Sequence, residues 1–336
     1  MSTLFEFIRE LIDIPSVTGD EEPIARFLER ELDTRGFRVT LQEVAHGRLN
    51  VFAGDAGTAV VVLCTHLDTV PPFMPSAEDD EFIYGRGACD AKGILAAMVT
   101  AAERLRGGGI DGVGLLFVVG EETDSAGARK ANELGVHSRY IVVGEPTHNV
   151  PASGHKGAFG FVLKASGTAA HSAYPERGDS AIDRLLAVLE RVRHTSWGTD
   201  AMLGEASCNV GTIAGGAAGN VIAPNAEARV LVRTVGPAAE ARATLDRLID
   251  GDPKLHYDIV TENDAVWCET LPGVDAAPVA FGSDIPSLTA FGKPLLFGPG
   301  NIHDAHTDDE KIAKRDVEDA VDLYCRAVTH LMQHGT

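Results

Sequence analysis

The stretch that decides the fold reads V61-V-L-C-T-H-L-D-T-V-P71 and continues, after a polar spacer, as G85-R-G-A-C-D-A-K-G93. Its first part contains an apolar, β-branched run from Val60 to Leu63, which is typical of a buried strand. His66 and Asp68 follow at the carboxyl end of this strand. Because open α/β sheets bind ligands outside the carboxyl ends of their strands, this position favours a functional site.

The spacing of His66 and Asp68 suits a metal site. Two residues apart on an extended chain, they share a face, and the carboxylate could hold the second ring nitrogen of a metal-bound imidazole. Asp90 then lies between a glycine-rich turn and an apolar helix predicted from Ile94 to Leu105. Taken alone, the stretch also fits a solvated histidine at a strand end and an aspartate that caps a helix.

Further predicted strands end in acidic residues or histidines. In chain order these are Val113–Val119 before Glu121 and Glu122, Tyr140–Val143 before Glu145, and Leu295–Phe297 before His303 and His306. Consecutive α/β units thus deliver carboxylates to the same edge of the sheet, where they repel one another unless protons or cations balance them. Histidine with several carboxylates suits zinc, and a pair of cations suits an aminopeptidase-type hydrolase.

Four motifs in this order resemble the M20 family of zinc peptidases and deacylases, which includes acetylornithine deacetylase, succinyl-diaminopimelate desuccinylase and carboxypeptidase G2. They are T-H-L-D-T-V-P at 65–71, G-R-G-A-C-D-A-K-G at 85–93, G-E-E at 120–122 and G-E-P-T at 144–147. The likeness covers almost the whole chain, from I-P-S-V-T-G at Ile14 to A-H-T-D-D-E at Ala305. It departs at Ala91, where many members have Met, and this bears on substrate selectivity rather than on the ligand set.

The resemblance assigns five residues to two zinc ions, with cobalt or manganese as alternative metals. Asp90 bridges the ions, His66 and Glu145 complete one site, and Glu122 and His306 complete the other. These are ligands of the kind that zinc accepts, and water held between the ions becomes a hydroxide nucleophile near neutral pH. The resemblance also implies a cis peptide bond after Asp90.

Catalytic roles are implied for the residues beside these ligands. Glu121 is the general base that takes the proton of the water and passes it to the leaving amine, and Asp68 is assigned to catalysis with it. Glu121 and Glu122 should face opposite ways, as neighbours on an extended segment do. The alternative for this pair is a solvated turn. His303 competes with His306 for the second site, and the A-H-x-x-D-E string favours His306.

Between Glu145 and His306 the pattern changes to strand, helix, strand, strand, helix, strand, which is the ferredoxin-like order. We therefore predict an α/β catalytic domain of the zinc-peptidase type, with a mostly parallel central sheet, over residues 1–153 and 263–336. An inserted α+β lid occupies residues 154–262. The resemblance implies that such lids pair, so we expect a homodimer through this domain. The predicted lid elements are Ala158–Ala165, Ser180–Val192, Cys208–Ile213, Ala226–Val235, Ala238–Ile249 and Leu255–Thr261.

The lid carries four candidate substrate contacts. G167-T-A-A-H-S172 matches the family's G-x-x-x-H-S, in which the histidine, here His171, binds the acyl oxygen as it becomes an oxyanion. Asn220 matches an asparagine that contacts substrate in the family. Arg233 and, more weakly, Lys156 are candidates for the substrate α-carboxylate, and surface ion pairs are an equal alternative for both.

The composition indicates which classes of binding partner and which cellular compartment to expect. The chain has 336 residues and a formal net charge of −20, which argues against nucleic-acid and anionic-membrane partners. The charged segment from Ser2 to Ile14 predicts an amphipathic helix rather than a signal peptide, so we expect a cytoplasmic protein. Its five scattered cysteines are predicted to be buried thiols, with metal ligation as the alternative for Cys64 and Cys89.

Three functions remain open from the sequence. The first is an amidohydrolase that removes an acetyl or succinyl group from a small N-acylated amino acid, similar to acetylornithine deacetylase. The alternative is a metallo-exopeptidase that cleaves di- or tripeptides with the same metals. A metal-binding protein without catalysis is the third, and the intact Glu121 argues against it.

Overall fold

The computed structural model describes residues 2–334, with the side chains of residues 2–333. The chain forms two compact units. The first comprises Met1–Ser153, Trp267–Ala277 and Ser283–Thr336, and the second comprises Gly154–Val266 and Pro278–Gly282. Compared with the predicted lid, the second unit therefore extends four residues further and adds a short later segment.

The amino-terminal part of the first unit alternates helices and strands. Thr3 caps the first helix, since its hydroxyl accepts the N–H of Glu6 and the Glu6 carboxylate accepts the N–H of Thr3. The elements are helices α1 (Leu4–Ile12), α2 (Glu22–Thr34), α3 (Gly93–Gly107) and α4 (Ala126–Ala131), and strands β1 (Val39–Ala45), β2 (Arg48–Ala53), β3 (Val61–His66), β4 (Ala77–Glu78), β5 (Phe82–Tyr84), β6 (Val113–Val118) and β7 (Tyr140–Val143).

The second unit and the returning chain supply the remaining elements. Strand β8 (Ala152–His155) leads into β9 (Ala158–Ser166), α5 (Ala181–His194), β10 (Thr199–Asp200), β11 (Gly204–Glu205), β12 (Ser207–Gly215), β13 (Asn225–Arg233), α6 (Ala238–Ile249) and β14 (Leu255–Asn263). The chain continues with β15 (Val266–Trp267), β16 (Ala277–Val279), β17 (Lys293–Leu296), β18 (Lys311–Ala313) and α7 (Lys314–His334).

The first unit is organised by a six-stranded sheet in the order β1-β2-β6-β3-β7-β17. Strands β6, β3, β7 and β17 are parallel, and β1 and β2 add an antiparallel edge. Parallel strands are buried on both faces, which explains why β3 contains no exposed residue. Helices α1, α3 and α7 supply much of the core, where the Tyr324 ring stacks on Phe297 with centroids 4.7 Å apart. The predicted α/β class and mostly parallel sheet are confirmed.

The second unit has a four-stranded antiparallel sheet in the order β12-β13-β9-β14. Side chains of β13 alternate between exposed and buried along most of the strand, as expected when helices cover one face only. Helices α5 and α6 cover that face, packing on a core that includes Phe159 and Phe161. The main strands and helices follow the strand, helix, strand, strand, helix, strand order of the prediction.

Among the described residues, no helix combines the length and apolar character needed to cross a membrane.

Candidate metal centre

The parallel strands bring the predicted site residues to one edge of the first unit's sheet. In the strand register His66, the last residue of β3, lies opposite Val118 of β6, and Cys64 lies opposite Val143 of β7. The chain therefore leaves three neighbouring strands at nearly the same level. The acidic residues that follow β6 and β7 meet the histidine there, as the sequence predicted from the shared direction of the strands.

A first group consists of His66, Asp90 and Glu145. One ligand atom from each lies within 4.8 Å of the other two, and all three side chains are buried. The closest pair is His66 Nε2 and Asp90 Oδ1, which are 2.9 Å apart. Asp90 reaches this position from the irregular turn Ala88–Lys92 that precedes α3. The peptide bond between Asp90 and Ala91 is cis, as the resemblance implied.

A second group consists of Asp90, Glu122 and His306, again with one ligand atom from each within 4.8 Å of the others. His306 Nε2 lies 2.9 Å from Glu122 Oε1 and 3.4 Å from Asp90 Oδ2. Asp90 therefore presents one oxygen to each histidine. His306 is the most exposed of the five residues, and its backbone has φ 64, a value uncommon outside glycine.

The electrostatics of both groups show a strongly negative site. Burial lowers the pKa of His66, but the hydrogen bond and charge of Asp90 outweigh it and raise the pKa well above its ordinary value. Hydrogen bonds to Asp90 and Glu122 raise the pKa of His306 to about 10. Burial raises the pKa of Glu145, and the neighbouring Glu121 carboxylate adds to this. The raised pKa values show that the carboxylates of the site favour positive charge nearby, which a divalent cation would supply.

The donor set fits divalent cations. Each group offers one imidazole nitrogen and two carboxylates, and the carboxylate of Asp90 belongs to both. Zinc accepts such nitrogen and oxygen ligands, and a shared carboxylate is suited to a pair of ions. Neither cysteine beside the site belongs to a group among the described residues. The Cys89 thiol instead donates to the Asn301 carbonyl at 3.3 Å, and burial raises the pKa of Cys64.

Glu121 lies beside the two groups without belonging to either. Burial raises the pKa of its carboxyl group well above the ordinary value, with the carboxylates of Asp284, Asp90 and Glu122 adding to the shift. A carboxyl group of raised pKa close to metal ligands is placed to accept and return a proton. Its position is therefore compatible with the predicted role of general base.

The separation of Glu121 from Glu122 has a different cause from the expected one. The chain after β6 is not extended, because Gly120 has φ 84 and the N–H groups of Asp124 and Ser125 both donate to its carbonyl. The two side chains diverge on a tight turn rather than by strand alternation. The expectation of an extended segment was wrong, since a left-handed glycine ends the strand before Glu121.

Asp68 has a different task from the expected one. The carboxylate was expected to hold the second nitrogen of His66, but its nearest oxygen is 3.7 Å from Nδ1. The main-chain carbonyl of Asp68 lies 2.9 Å from that nitrogen and takes this role. The carboxylate instead accepts the N–H groups of Gly120, Glu121 and Glu122 and the hydroxyl of Thr18. Asp68 thus fixes the turn that carries both glutamates.

Glu310 is the site residue that sequence reasoning missed. Its buried carboxylate accepts three backbone N–H groups from the turn around Asp90 and pairs with the buried Arg86. Glu310 ends the A-H-T-D-D-E string, so an acidic residue four positions after His306 was the available signal. The competing His303 is exposed and belongs to neither group of the described residues.

In the second unit, His171 and Asn220 lie on neighbouring exposed segments. The main-chain carbonyl of Asn220 accepts the N–H of Ser172, and His171 forms an isolated β-bridge with Val221. The His171 Nδ1 accepts the N–H of Ala173 at 3.1 Å, and the imidazole lies edge-on to the Tyr174 ring with centroids 6.1 Å apart. The arrangement presents the imidazole outward on a hydrogen-bonded turn.

The two candidate cations of the second unit differ. Lys156 donates from its ammonium group to the main-chain carbonyl of Glu205, which favours a local structural contact over substrate binding. Arg233 ends β13, opposite Ser207, and is half-buried. Arg233 therefore remains the better candidate for a substrate carboxylate.

Buried carboxylates and histidines at the carboxyl edge of a parallel α/β sheet define a class of metal-site hydrolases. The profile of peptidase family M20/M25/M40 matches residues 62–330 of the chain. This protein belongs to that family, and it is a hydrolase of amide bonds.

Relatives and solved structures support the same placement. A peptidase M20 domain-containing protein of Schizosaccharomyces pombe is 36% identical over 97% of this chain and 84% of its own length. A probable carboxypeptidase of Aspergillus flavus is 33% identical over 99% of this chain and 88% of its own.

Two solved structures share the fold at lower identity. A Staphylococcus aureus tripeptidase matches with a TM-score of 0.79 and 21% identity, covering 97% of this chain and 95% of its own. A dinuclear metal-binding M20 peptidase of Bacillus subtilis matches with a TM-score of 0.73 and 16% identity, covering 98% of each chain. These two likenesses show the fold.

Proposed function

We propose that this protein is a di-metal exopeptidase that removes the carboxyl-terminal residue from short peptides. The observation that carries the proposal is the pair of ligand groups that share Asp90, with Glu121 beside them and in neither group. Relatives 33% identical to this chain are named probable carboxypeptidases, which favours peptides over the acylated amino acids of the first hypothesis.

Five residues of the chain would hold the two metal ions. Zinc, with cobalt or manganese as alternatives, supplies polarisation of the amide carbonyl and a water acidic enough to ionise near neutral pH when bound. His66, Asp90 and Glu145 would hold one ion, and Asp90, Glu122 and His306 the other. This assignment is supported by the ligand atoms of each group, which lie within 4.8 Å of one another.

Glu121 would move the proton. Its carboxylate accepts a proton from the attacking water and later donates it to the nitrogen of the leaving amine, so that the C–N bond breaks without releasing an unstable amide anion. The raised pKa of Glu121 suits a group that must both take and return a proton. The Asp68 carboxylate holds the Glu121 backbone for this task by accepting the Glu121 N–H at 3.1 Å.

The lid residues would bind the substrate. Arg233 offers a planar fork for a terminal carboxylate, and His171 offers a donor for the oxygen of the cleaved carbonyl. We further propose that His171 serves the site of the partner in a homodimer formed through the lid. Support comes from the exposed edge strand β12, whose unpaired backbone groups a partner strand would cover.

Deacylation of N-acyl amino acids remains the second candidate. An N-acyl amino acid is the smallest substrate in which the scissile amide lies next to a free carboxylate, so the same residues would serve it. The relatives named probable carboxypeptidases favour the peptide, and no feature of the described residues selects an acetyl or succinyl group.

A blocked-substrate panel tests the proposal. Zinc- or cobalt-loaded protein is offered a free tripeptide, its N-acetylated form, its C-terminal amide, and N-acetyl and N-succinyl amino acids, with products resolved by chromatography. We expect cleavage of the free and N-acetylated peptides and none of the amide. Preference for the amide over the N-acetylated form indicates an aminopeptidase, and preference for N-acyl amino acids indicates the deacylase. No hydrolysis by metal-loaded protein contradicts all three.

A further inference from the structure

The turn that carries Asp90 is wrapped around a single buried carboxylate. Glu310 Oε1 accepts the N–H groups of Gly87 at 3.0 Å and of Cys89 and Asp90 at 3.1 Å. Its other oxygen accepts Arg86 Nη1 at 2.6 Å. Glu310 and Arg86 are 1% and 2% exposed, so these contacts form away from water. Convergent backbone N–H groups of this kind form a concave site for an anion.

Arg86 is itself held in place. Its Nε donates to the Pro72 carbonyl at 3.2 Å, and its backbone N–H donates to the Met74 carbonyl. The Arg86 guanidinium therefore has a fixed position from which it directs the Glu310 carboxylate. Charge-assisted hydrogen bonds in a buried setting are stronger than neutral ones, so the carboxylate is firmly oriented.

The same segment connects Asp90 to the second histidine. Glu310 lies four residues after His306, and its main-chain carbonyl accepts the N–H of Gly85 at 3.0 Å. The following strand β18 pairs with β5, so both sides of the segment are anchored. Glu310 thus joins the loop that supplies His306 to the turn that supplies Asp90.

We propose that Glu310, oriented by Arg86, is a positioning residue that sets the Asp90 carboxylate between His66 and His306. Within this turn the Lys92 N–H donates to the Gly87 carbonyl at 2.8 Å, but Asp90 itself has non-helical dihedrals, and its N–H is held by Glu310. Without the Glu310 carboxylate, three buried N–H groups lose their acceptor, and the hydrogen bonds that hold Asp90 in place are lost. This inference rests on the proposed function, because it concerns the predicted metal ligand.

Two measurements on the metal-free and metal-titrated protein test the proposal. Hydrogen exchange of the peptide covering residues 86–92 measures how well the hydrogen bonds of the turn are protected in metal-free protein. Competition with a chromophoric chelator measures zinc affinity. The variants are Glu310→Ala and the nearly isosteric Glu310→Gln. Asp309→Asn, an exposed neighbour, is the matched control.

We expect Glu310→Ala to speed exchange of the 86–92 peptide in metal-free protein and to weaken zinc binding by about 10–100-fold, the usual cost of removing a group that orients a ligand. Glu310→Gln keeps one acceptor oxygen but presents an amide N–H₂ to Arg86, so its effect should lie between those of Ala and the control. If Glu310→Ala does not fold, Glu310→Gln decides by the same two readings.

The possible failures are distinguishable. Wild-type protein that binds zinc, with affinity unchanged in folded Glu310 variants, overturns the positioning role alone. Loss of thermal stability with unchanged zinc affinity means a merely structural role and also overturns it. Wild-type protein that binds no zinc, cobalt or manganese refutes the proposed function, and the positioning role fails with it.

Discussion

The candidate residues of the two units are held in opposite ways. In the first unit His66, Asp90 and Glu145 are buried, and one ligand atom from each lies within 4.8 Å of the other two. In the second unit His171 and Asn220 are exposed, and their two segments are joined by the hydrogen bond from the Ser172 N–H to the Asn220 main-chain carbonyl. The first set is thus enclosed within its unit, whereas the second lies open to solvent. Substitutions in the first set should therefore act through the metal, and those in the second through substrate.

The largest effect should come from Asp90→Ala. Because Asp90 belongs to both ligand groups, its loss removes a ligand from each ion at once. We expect the variant to lose bound metal. Its activity should fall by more than the factor of about 10²–10⁴ that acid–base catalysis supplies. Metal analysis after dialysis and peptide hydrolysis measure the two effects, with the exposed Asp80→Ala as control. Retention of both ions would contradict the shared-ligand assignment.

Glu121→Gln should separate chemistry from metal binding within the first unit. Glu121 is in neither ligand group, so we expect unchanged metal content and a loss of turnover of about 10²–10⁴-fold. The exposed Glu318→Gln is the control. A variant that keeps more than a few percent of wild-type turnover refutes the role of general base.

His171→Ala tests whether His171 contributes to the active site of the partner chain in a dimer. Removing one oxyanion donor should cost about 10²–10³-fold in turnover. Mixing His171→Ala chains with Glu121→Gln chains should restore roughly one working site per heterodimer, since that site has Glu121 from one chain and His171 from the other. Absence of recovery from a confirmed heterodimer, or full activity of a monomer in solution, would falsify the shared site.

Arg233 and Lys156 sharpen the comparison within the second unit. Arg233→Ala should raise the KM for peptides with a free carboxyl terminus by roughly 10-fold, as a lost charge-assisted hydrogen bond does. Lys156→Ala should change KM by less than about 2-fold, because the ammonium group already donates to the Glu205 carbonyl. Equal effects on KM would remove this distinction.

The smallest effect is expected in the stability of the metal-free protein. Contacts to Asp90 and Glu122 raise the pKa of His306 from 6.5 to about 10. A raised histidine pKa stabilises the fold fully below pH 6.5, and this contribution is lost as the pH rises through about 10.

The pKa values of Glu121 and Glu145 are also raised, so the fold loses stability as these two groups ionise with rising pH, in the same direction as for His306. The Tm of chelator-treated wild type should therefore fall from pH 6.5 to 10, by a few degrees more than that of His306→Gln. Parallel Tm curves for the two proteins contradict the assigned contacts. Because His306 is half-exposed, solvent screening keeps this effect small.

Much of the fold and the ligand set could be predicted from the sequence. The strand β3 followed by His66, and the acidic residues after β6 and β7, were recognised because hydrophobic pattern and strand direction act locally along the chain. That direction places His66, Glu122 and Glu145 near one sheet edge without knowledge of side-chain geometry, whereas the choice of Asp90 and His306 came from the family resemblance.

The tertiary structure alone decided which groups hold those ligands in place. Nothing in the spacing of His66 and Asp68 shows that a main-chain carbonyl holds the imidazole while the carboxylate gathers the N–H groups of Gly120 and Glu121. Nor does the sequence show that Glu310 reaches a turn more than two hundred residues earlier. A hydrogen bond forms only within a few tenths of an ångström of its preferred length, and that separation is set by the packing of the whole unit rather than by neighbouring residues.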